Sequence, residues 1–372
     1  MKNKRIYVLL TFVLIFFAAC VGCNKQTGNY EKKSASADIT KLIDYKMNKS
    51  GDEFTLTVKD DEDFVILNLT DIQLDLDSWL KKDDKYDVAK RIMTYLVETA
   101  QPDLITFTGD MCYGQPMAYQ KAVELFDSFG IYWAPVFGNH DHNQNSEKSI
   151  AEIYNSAKHC LFEAGDSELG TGNYIIKLVD LNDRLREILI FMDTHDMVDG
   201  NWAYLTEKQL AWYEGKIKKY CTETIKVDST VFIHIPVYAY NYALKEALNC
   251  NEPYRSDAFY AFCEDMPVNN FGNKTYWKDG FTESFGVCWE GVCSPVSDEG
   301  AFDLFKELGS THNVVSGHDH NNNFSILYEG IRLTYGTKSS YGCYYKEPLL
   351  GGTVLTVDET GINNLFHVYW KK

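Results

Sequence analysis

The chain alternates between short apolar runs and stretches with helical spacing. Phe54 to Val58 alternates and predicts a first strand. Phe64 to Leu69 and Leu104 to Thr108 are near-continuous apolar runs, the pattern of strands buried on both faces. Val88, Ile92, Met93 and Leu96 recur at helical intervals within Val88 to Val97, and Met117 to Phe129 is helical again before Ile131 to Phe137 returns to strand. Tyr174 to Val179 and Glu187 to Met192 predict a strand pair. Thr206 opens a helix with Glu207 and Gln209 in its first turn, Thr230 to Ile235 reads as strand and Phe302 to Leu308 as helix. Val314 to Ser316, Phe324 to Tyr328, Ile331 to Tyr335, Thr353 to Val357 and Asn364 to Tyr369 make the C-terminal part strand-rich. Strands alternating with helices predict an α/β core. Between Pro236 and Pro295 no periodicity persists, so an irregular insertion over 236–297 is expected to build a pocket or lid.

Composition changes this picture mainly at the N-terminus. Lys2, Lys4 and Arg5 precede an uncharged run from Ile6 to Ala19, the layout of a signal peptide and short for a membrane-spanning helix. Small residues then precede Cys20 and Cys23, resembling a bacterial lipobox, and either cysteine is a candidate for lipidation. Ordinary cleavage and release is the alternative. Residues 24–51 are polar and read as a tether, with one domain over 52–372. The expected location is therefore outside the cytoplasm, anchored to the bacterial membrane or otherwise secreted. The remaining cysteines form no CxxC pair; Cys250/Cys263 and Cys288/Cys293 are close enough in sequence to be bridged. A net charge of −17 speaks against a nucleic-acid partner, while small phosphorylated substrates stay acceptable where bound cations reverse the local sign. Nothing in the pattern sets an oligomeric state.

The chemistry sits in short polar clusters, each following a buried-strand pattern: Thr70-Asp71-Ile72-Gln73, Gly109-Asp110-Met111-Cys112-Tyr113, Gly138-Asn139-His140-Asp141, His234 and Gly317-His318-Asp319-His320. Four of the nine histidines lie in them, at the strand ends where α/β folds place their sites. A lone histidine on a strand is more often a core residue than a ligand; it is the ordered set that points to metal.

In that order the clusters resemble the calcineurin-like metallophosphoesterases over roughly Asp63 to Trp370, and the run from Glu290 through Asn322 resembles their branch related to purple acid phosphatases. The resemblance implies a four-layer α/β/β/α sandwich of two mixed sheets and two metal ions: divalent Zn, Mn or Fe, with Fe(III) admissible. It implies that Asp110 bridges both metals, that Asp71 and His320 bind the first, and that Asn139, His234 and His318 bind the second. His140 would stand over the phosphate as acid, oriented by Asp141. Two such metals clamp a phosphate and activate water in line with the leaving group. The implied activity is hydrolysis of phosphomonoesters or phosphodiesters at the cell surface, by a nucleotidase or head-group phosphodiesterase among other forms. A degenerate member that binds a phosphorylated or cell-wall ligand without turnover is the rival.

One position departs from the family, whose first motif usually reads Asp-x-His. Gln73 stands there, and its amide oxygen, the Tyr113 phenolate or water could complete the first metal's shell. Gln73 is favoured, since two residues beyond Asp71 on a strand end it shares the same face. His142 and His195 are rim candidates, though a surface-loop place explains each better, and Tyr238, Tyr240 and Tyr242 are candidates for stacking on a leaving group, though plain strand or lid packing explains them better. Arg332 and Lys338 are weaker candidates for steering anions.

Overall fold

A computed structural model describes residues 46–371 apart from 60–62, 223, 249–276, 282 and 298–299. The leader with Cys20 and Cys23, the tether up to residue 45 and the Cys250/Cys263 pair lie outside the described residues.

The elements run β1 (Met47–Ser50), β2 (Glu53–Thr57), β3 (Phe64–Leu69), α1 (Leu76–Trp79), α2 (Lys85–Ala100), β4 (Leu104–Thr108), α3 (Pro116–Asp127), β5 (Tyr132–Val136) and α4 (Glu147–Ser156). Then come β6 (Tyr174–Val179), β7 (Leu185–Phe191), a small pair β8 (Met197–Val198) and β9 (Asn201–Trp202), α5 (Glu207–Tyr220), β10 (Asp228–Phe232) and α6 (Ala239–Ala247). The chain closes with α7 (Ala301–Leu308), β11 (Thr311–Ser316), β12 (Ser325–Tyr328), β13 (Ile331–Tyr335), β14 (Gly351–Asp358) and β15 (Gly361–Tyr369).

Two mixed sheets result. One has the order β15-β14-β3-β4-β5, the other β1-β2-β6-β7-β10-β11-β13-β12. The apolar runs of β3 and β4 are wholly buried and pair in parallel, as their composition requires. Helix α2 covers β3, β14 and β15 on one outer side; α6 and α7 cover β12 and β11 on the other; β7 and β10 touch β14 and β15 between them. That is the expected α/β/β/α sandwich. A row of aromatic rings fills the middle. Tyr174, Phe191 and Phe232 stack across β6, β7 and β10 with centroids 4.7 and 5.0 Å apart, and Tyr174 donates to the Pro135 carbonyl on β5 of the opposite sheet.

Local signals were read where they are strong. Thr206 caps α5 in a reciprocal box with Gln209, as its Thr-x-x-Gln spacing dictates. Three readings need correction. The tether ends earlier than residue 51: Met47–Ser50 is a fully exposed edge strand paired with β2, held by backbone bonds that a polar sequence does not advertise. The irregular insertion begins with a helix: α6 buries Ala239, Tyr240, Ala243, Leu244 and Ala247, a stripe built largely of alanine. It also separates the tyrosines, for Tyr240 donates to the Val314 and Thr334 carbonyls inside the core while Tyr242 is exposed. Finally, Cys288 and Cys293 are not bridged to each other, and Cys112, Cys160, Cys221 and Cys293 are free thiols.

Two buried carboxylates show how context decides charge. Glu53 at the start of β2 is met by Lys216, Lys219 and Tyr220 from α5. Burial opposes its ionisation, but these partners outweigh burial and hold it down at about 2. Glu187 on β7 has no ion-pair partner among the described residues, with only His312 acting on it from a distance. It accepts from Thr230 at 2.8 Å, and burial, seconded by Asp228, pushes it up to about 8. The folded protein thus keeps a proton that the unfolded chain releases near the ordinary carboxyl value. Stability from this group is full below about pH 4.5 and is lost as pH rises toward 8. Glu187→Gln should therefore flatten the decline in melting temperature across that window and stabilise the protein at pH 8 by on the order of a few kcal/mol; an unchanged pH profile would show that Glu187 is ionised in the fold.

Candidate metal centre

The polar clusters meet where the strand ends of the two sheets converge. Asp71 follows β3, Asp110 follows β4 and Asn139 to Asp141 follow β5 in one sheet; His234 follows β10, and His318 and His320 follow β11 in the other. Strand β10 ends at Phe232, short of the expected Ile235, whose amide donates to Thr194 Oγ1 instead of to a strand neighbour. The sheets approach closely enough that a side chain at Gly109, whose φ is +84°, would lie 2.5 Å from His234 Nδ1. Asp71, Gln73, Asp110 and His318 all adopt left-handed backbone, each a strained conformation for a residue with a side chain.

At one end, acceptors face acceptors. His234 Nδ1 donates to the Thr108 carbonyl at 2.7 Å, which leaves the Nε2 lone pair pointing inward. There it meets Asn139 Oδ1 at 3.0 Å, His318 Nδ1 at 3.3 Å and Asp110 Oδ1 at 3.4 Å. His318 Nδ1 also lies 3.0 Å from Asn139 Oδ1, while its Nε2 is buried without a partner and its ring rests against Trp202. Burial opposes a charge on His234, but Asp110 and Asp71 outweigh it and raise its proton affinity to about 10; burial and the neighbouring His234 push His318 down to about 3. A single cation would satisfy all four groups.

The other end repeats the conflict. His320 Nδ1 donates to the Tyr344 carbonyl at 2.9 Å, and its Nε2 faces Asp71 Oδ1 at 3.3 Å. That oxygen is buried and has no hydrogen-bond donor, whereas Oδ2 accepts from Thr70 Oγ1 and the His318 amide. Asp110 spans the two ends. Its Oδ1 accepts from the His140 amide and looks toward His234, and its Oδ2 accepts from Gln73 Nε2 at 2.7 Å. One acceptor atom each from Asp71, Asp110 and His234 lies within 4.8 Å of the others.

Gln73 is not the donor expected of it. Its nitrogen is spent on Asp110, and its amide oxygen accepts from Lys338 Nζ at 3.1 Å. Strand alternation from Asp71 does not apply, since both residues are left-handed. Lys338 is the larger surprise. Read from sequence as a minor charge, it is almost wholly buried beside Asp71, donates to the Asp71 carbonyl at 2.6 Å, and is pushed down to about 8 by burial. Only its place three residues after the end of β13 marks it in the sequence. Arg332 instead reaches Glu283 and Ser325.

His140 sits half-buried at the mouth with Tyr113 against its ring at 5.0 Å. Asn143 Nδ2 donates to its Nδ1 at 3.2 Å, which makes Nε2 the protonated nitrogen of the neutral ring. Asn143, absent from the sequence reading, is therefore the residue that orients His140. Asp141 is not: it accepts from the amides of Asp110, Gly138 and Cys112 and from Tyr119, bracing the two loops beneath the site. Asp319 does the same for the opposite wall, accepting from the Cys293 amide and Tyr335. His142 bonds Glu147 and Asp193 with its two nitrogens; burial works against its charge, but the carboxylates prevail and raise it to about 9. His195 Nε2 is held by Gln209. Both are fixed structural pairs. Cys343, in the loop after β13, is held down at about 7 chiefly by His320.

The family model for calcineurin-like phosphoesterases matches residues 64–322. Among curated relatives, Probable inactive purple acid phosphatase 28 of Arabidopsis thaliana is 24% identical over 92% of this chain and 84% of its own. Probable inactive purple acid phosphatase 14 of the same plant is 27% identical over 67% of this chain and 61% of its own. Among solved structures, a dimetal phosphatase from Danio rerio aligns with 83% of this chain and 99% of its own, at 10% identity and a TM-score of 0.47. With the family match running through every cluster from Asp71 to His320, the chain belongs to the calcineurin-like phosphoesterase family.

Proposed function

We propose that the protein hydrolyses phosphomonoesters or phosphodiesters with two divalent cations held by Asp71, Asp110, Asn139, His234, His318 and His320. The observation that carries this reading is the convergence of Asp71, Asp110 and His234, one acceptor atom of each within 4.8 Å of the others, with Asn139, His318 and His320 against them. The donor set fits the family's metals: mixed imidazole and carboxylate suits Zn, Mn or Fe without choosing among them. Once bound, such a pair supplies the positive charge that holds a phosphate and activates water for attack on phosphorus. The residues of the chain do the rest. Thr108 fixes the His234 tautomer and Tyr344 that of His320, so each ring is pre-oriented before anything binds. His140, held by Asn143, presents Nε2–H at the mouth and delivers that proton to the departing ester oxygen. Lys338 adds a buried positive charge beside Asp71, favouring an anionic substrate in an acidic protein. The substrate class is a small phosphate ester, with no nucleic-acid partner.

A second reading is a protein of this fold that binds a phosphorylated ligand without turnover. It is favoured by Gln73, whose oxygen is engaged by Lys338, and by the word "inactive" in the names of the two plant relatives. Metal analysis together with turnover of a chromogenic monoester and diester separates the readings: bound metal with no hydrolysis of either selects the second.

We further place the protein outside the cytoplasm, anchored by a lipid on Cys20 or Cys23. The support is the charged, apolar and small-residue sequence of the leader.

Each part has its own check. His318→Ala should lose bound metal and activity together while the circular dichroism spectrum is kept; full metal content in that variant would remove His318 from the ligand set. His140→Ala should keep its metal and lose kcat by on the order of 10²–10⁴-fold. The loss should be smaller for esters with good leaving groups, and equal losses for good and poor ones would eliminate the acid role. Replacing Cys20 and Cys23 by serine together should release the protein from the membrane fraction, and undiminished membrane binding would refute the anchor.

A further inference from the structure

Two of the three histidines that face the cation positions are fixed from behind in the same way. His234 Nδ1 donates to the Thr108 carbonyl and His320 Nδ1 to the Tyr344 carbonyl, so each turns an unprotonated Nε2 inward. His318 is turned the other way round. Its Nδ1 is the inward atom, 3.0 Å from Asn139 Oδ1 and 3.3 Å from His234 Nε2. Its Nε2 is buried and has no hydrogen-bond partner among the described residues. Where the other two rings meet a carbonyl, this one meets Trp202, with ring centroids 4.3 Å apart and planes at 84°. That separation is just below the usual range of about 4.5–7 Å for aromatic pairs, as fits a small ring setting its edge on the face of a larger one. Trp202 reaches His318 from β9, in a hairpin whose residues Met197, Val198 and Asn201 are exposed. Its pairing with Met197 and the bond from the Ala203 amide to the Asp196 carbonyl hold it there. The hairpin thus turns one side chain inward, and that side chain lies on His318.

We propose that Trp202 is the positioning residue of His318: its indole face receives Nε2–H, which leaves the Nδ1 lone pair for the cation shared with Asn139 and His234. The inference rests on the metal-binding reading of the site. A metal-bound neutral imidazole carries its proton on the other nitrogen, and that N–H is ordinarily met by a carboxylate, a backbone carbonyl or water. Buried without any of these, it would carry the cost of an unmade hydrogen bond. The indole offers the best π-face among the side chains, and an N–H set on it makes a weak hydrogen bond. The opposite tautomer would set a bare lone pair against the negative face of the ring. The contact makes and breaks no covalent bond. It fixes the ring's rotation and the place of its one proton, as the carbonyls of Thr108 and Tyr344 do for the other two rings.

Proton–nitrogen NMR of the full-length protein, with isotopic nitrogen in its histidines and zinc bound, tests this directly. The His318 signal is assigned by its absence in His318→Gln. The ring protons of His234 and His320 that donate to carbonyls should lie downfield. The His318 Nε2–H proton should lie well upfield of both, shielded by the indole face, and should move downfield in Trp202→Leu. Zinc affinity gives a second readout. Trp202→Leu should weaken zinc at the His318 end by on the order of 10–100-fold, the usual effect of losing the partner behind a ligand. Trp202→Phe, which keeps a ring face, should retain most of the affinity. Both variants should hold zinc at the Asp71 and His320 end as wild type does, which shows that each folds. A His318 N–H as far downfield as the other two, or equal zinc affinity in wild type and Trp202→Leu, overturns the proposal. So does a Trp202→Phe variant as weak as Trp202→Leu. A wild-type protein that binds no zinc overturns the underlying reading instead.

Discussion

The approach of β4 to β10 is the constraint on which the site depends. His234 belongs to one sheet and the Thr108 carbonyl to the other, and the 2.7 Å bond between them closes the gap. That single contact sets the His234 tautomer, aims Nε2 at Asp110 and Asn139, and leaves room at residue 109 for glycine alone. The aromatic row of Tyr174, Phe191 and Phe232 supports the same interface from further along the sheets. Packing at the sandwich interface and chemistry at its rim are therefore one problem: a shift that loosened the stacked rings would also separate the two halves of the donor set.

Strain and burial are concentrated at the same place. Four non-glycine residues in left-handed backbone, the donorless Asp71 Oδ1, the unpartnered His318 Nε2 and a buried ammonium are costly features for a protein interior. Their co-location is easier to understand if bound cations return much of that cost. The braces are correspondingly dense. Asp141 gathers three backbone amides and a phenol, and Asp319 ties the loop of His318 and His320 to Cys293 and Tyr335.

Much of this was legible in the residues. The runs Phe64 to Leu69 and Leu104 to Thr108 are apolar because both faces of a central parallel strand are covered, and nothing but a sheet accommodates them. The clusters at strand ends were visible for the same reason, since polar residues abruptly follow buried ones. What escaped notice depends on distant partners. Asp141 looks like a companion of His140 in the sequence, but its acceptors are filled by amides from a different loop. Gln73 reads as a substitute ligand until Lys338, far along the chain, claims its oxygen. Helix α6 was hidden because alanine and tyrosine carry a weak periodic signal, and β1 because an exposed edge strand is held by its backbone.

The edge strand has a mechanical consequence. The chain enters the described domain through β1, which pairs antiparallel with β2 around the turn at Gly51. Tension applied from the N-terminal side would load the open end of this hairpin, so its hydrogen bonds would break one pair at a time, starting with the bond from the Thr57 amide to the Lys46 carbonyl. The force would then arrive at Asp52 and Glu53, where Trp212, Lys216, Lys219 and Tyr220 clamp the start of β2 to α5. Strand β1 would thus act as a fuse: as the exposed edge it would yield first and spare the inner strands that lead to His234 and His318.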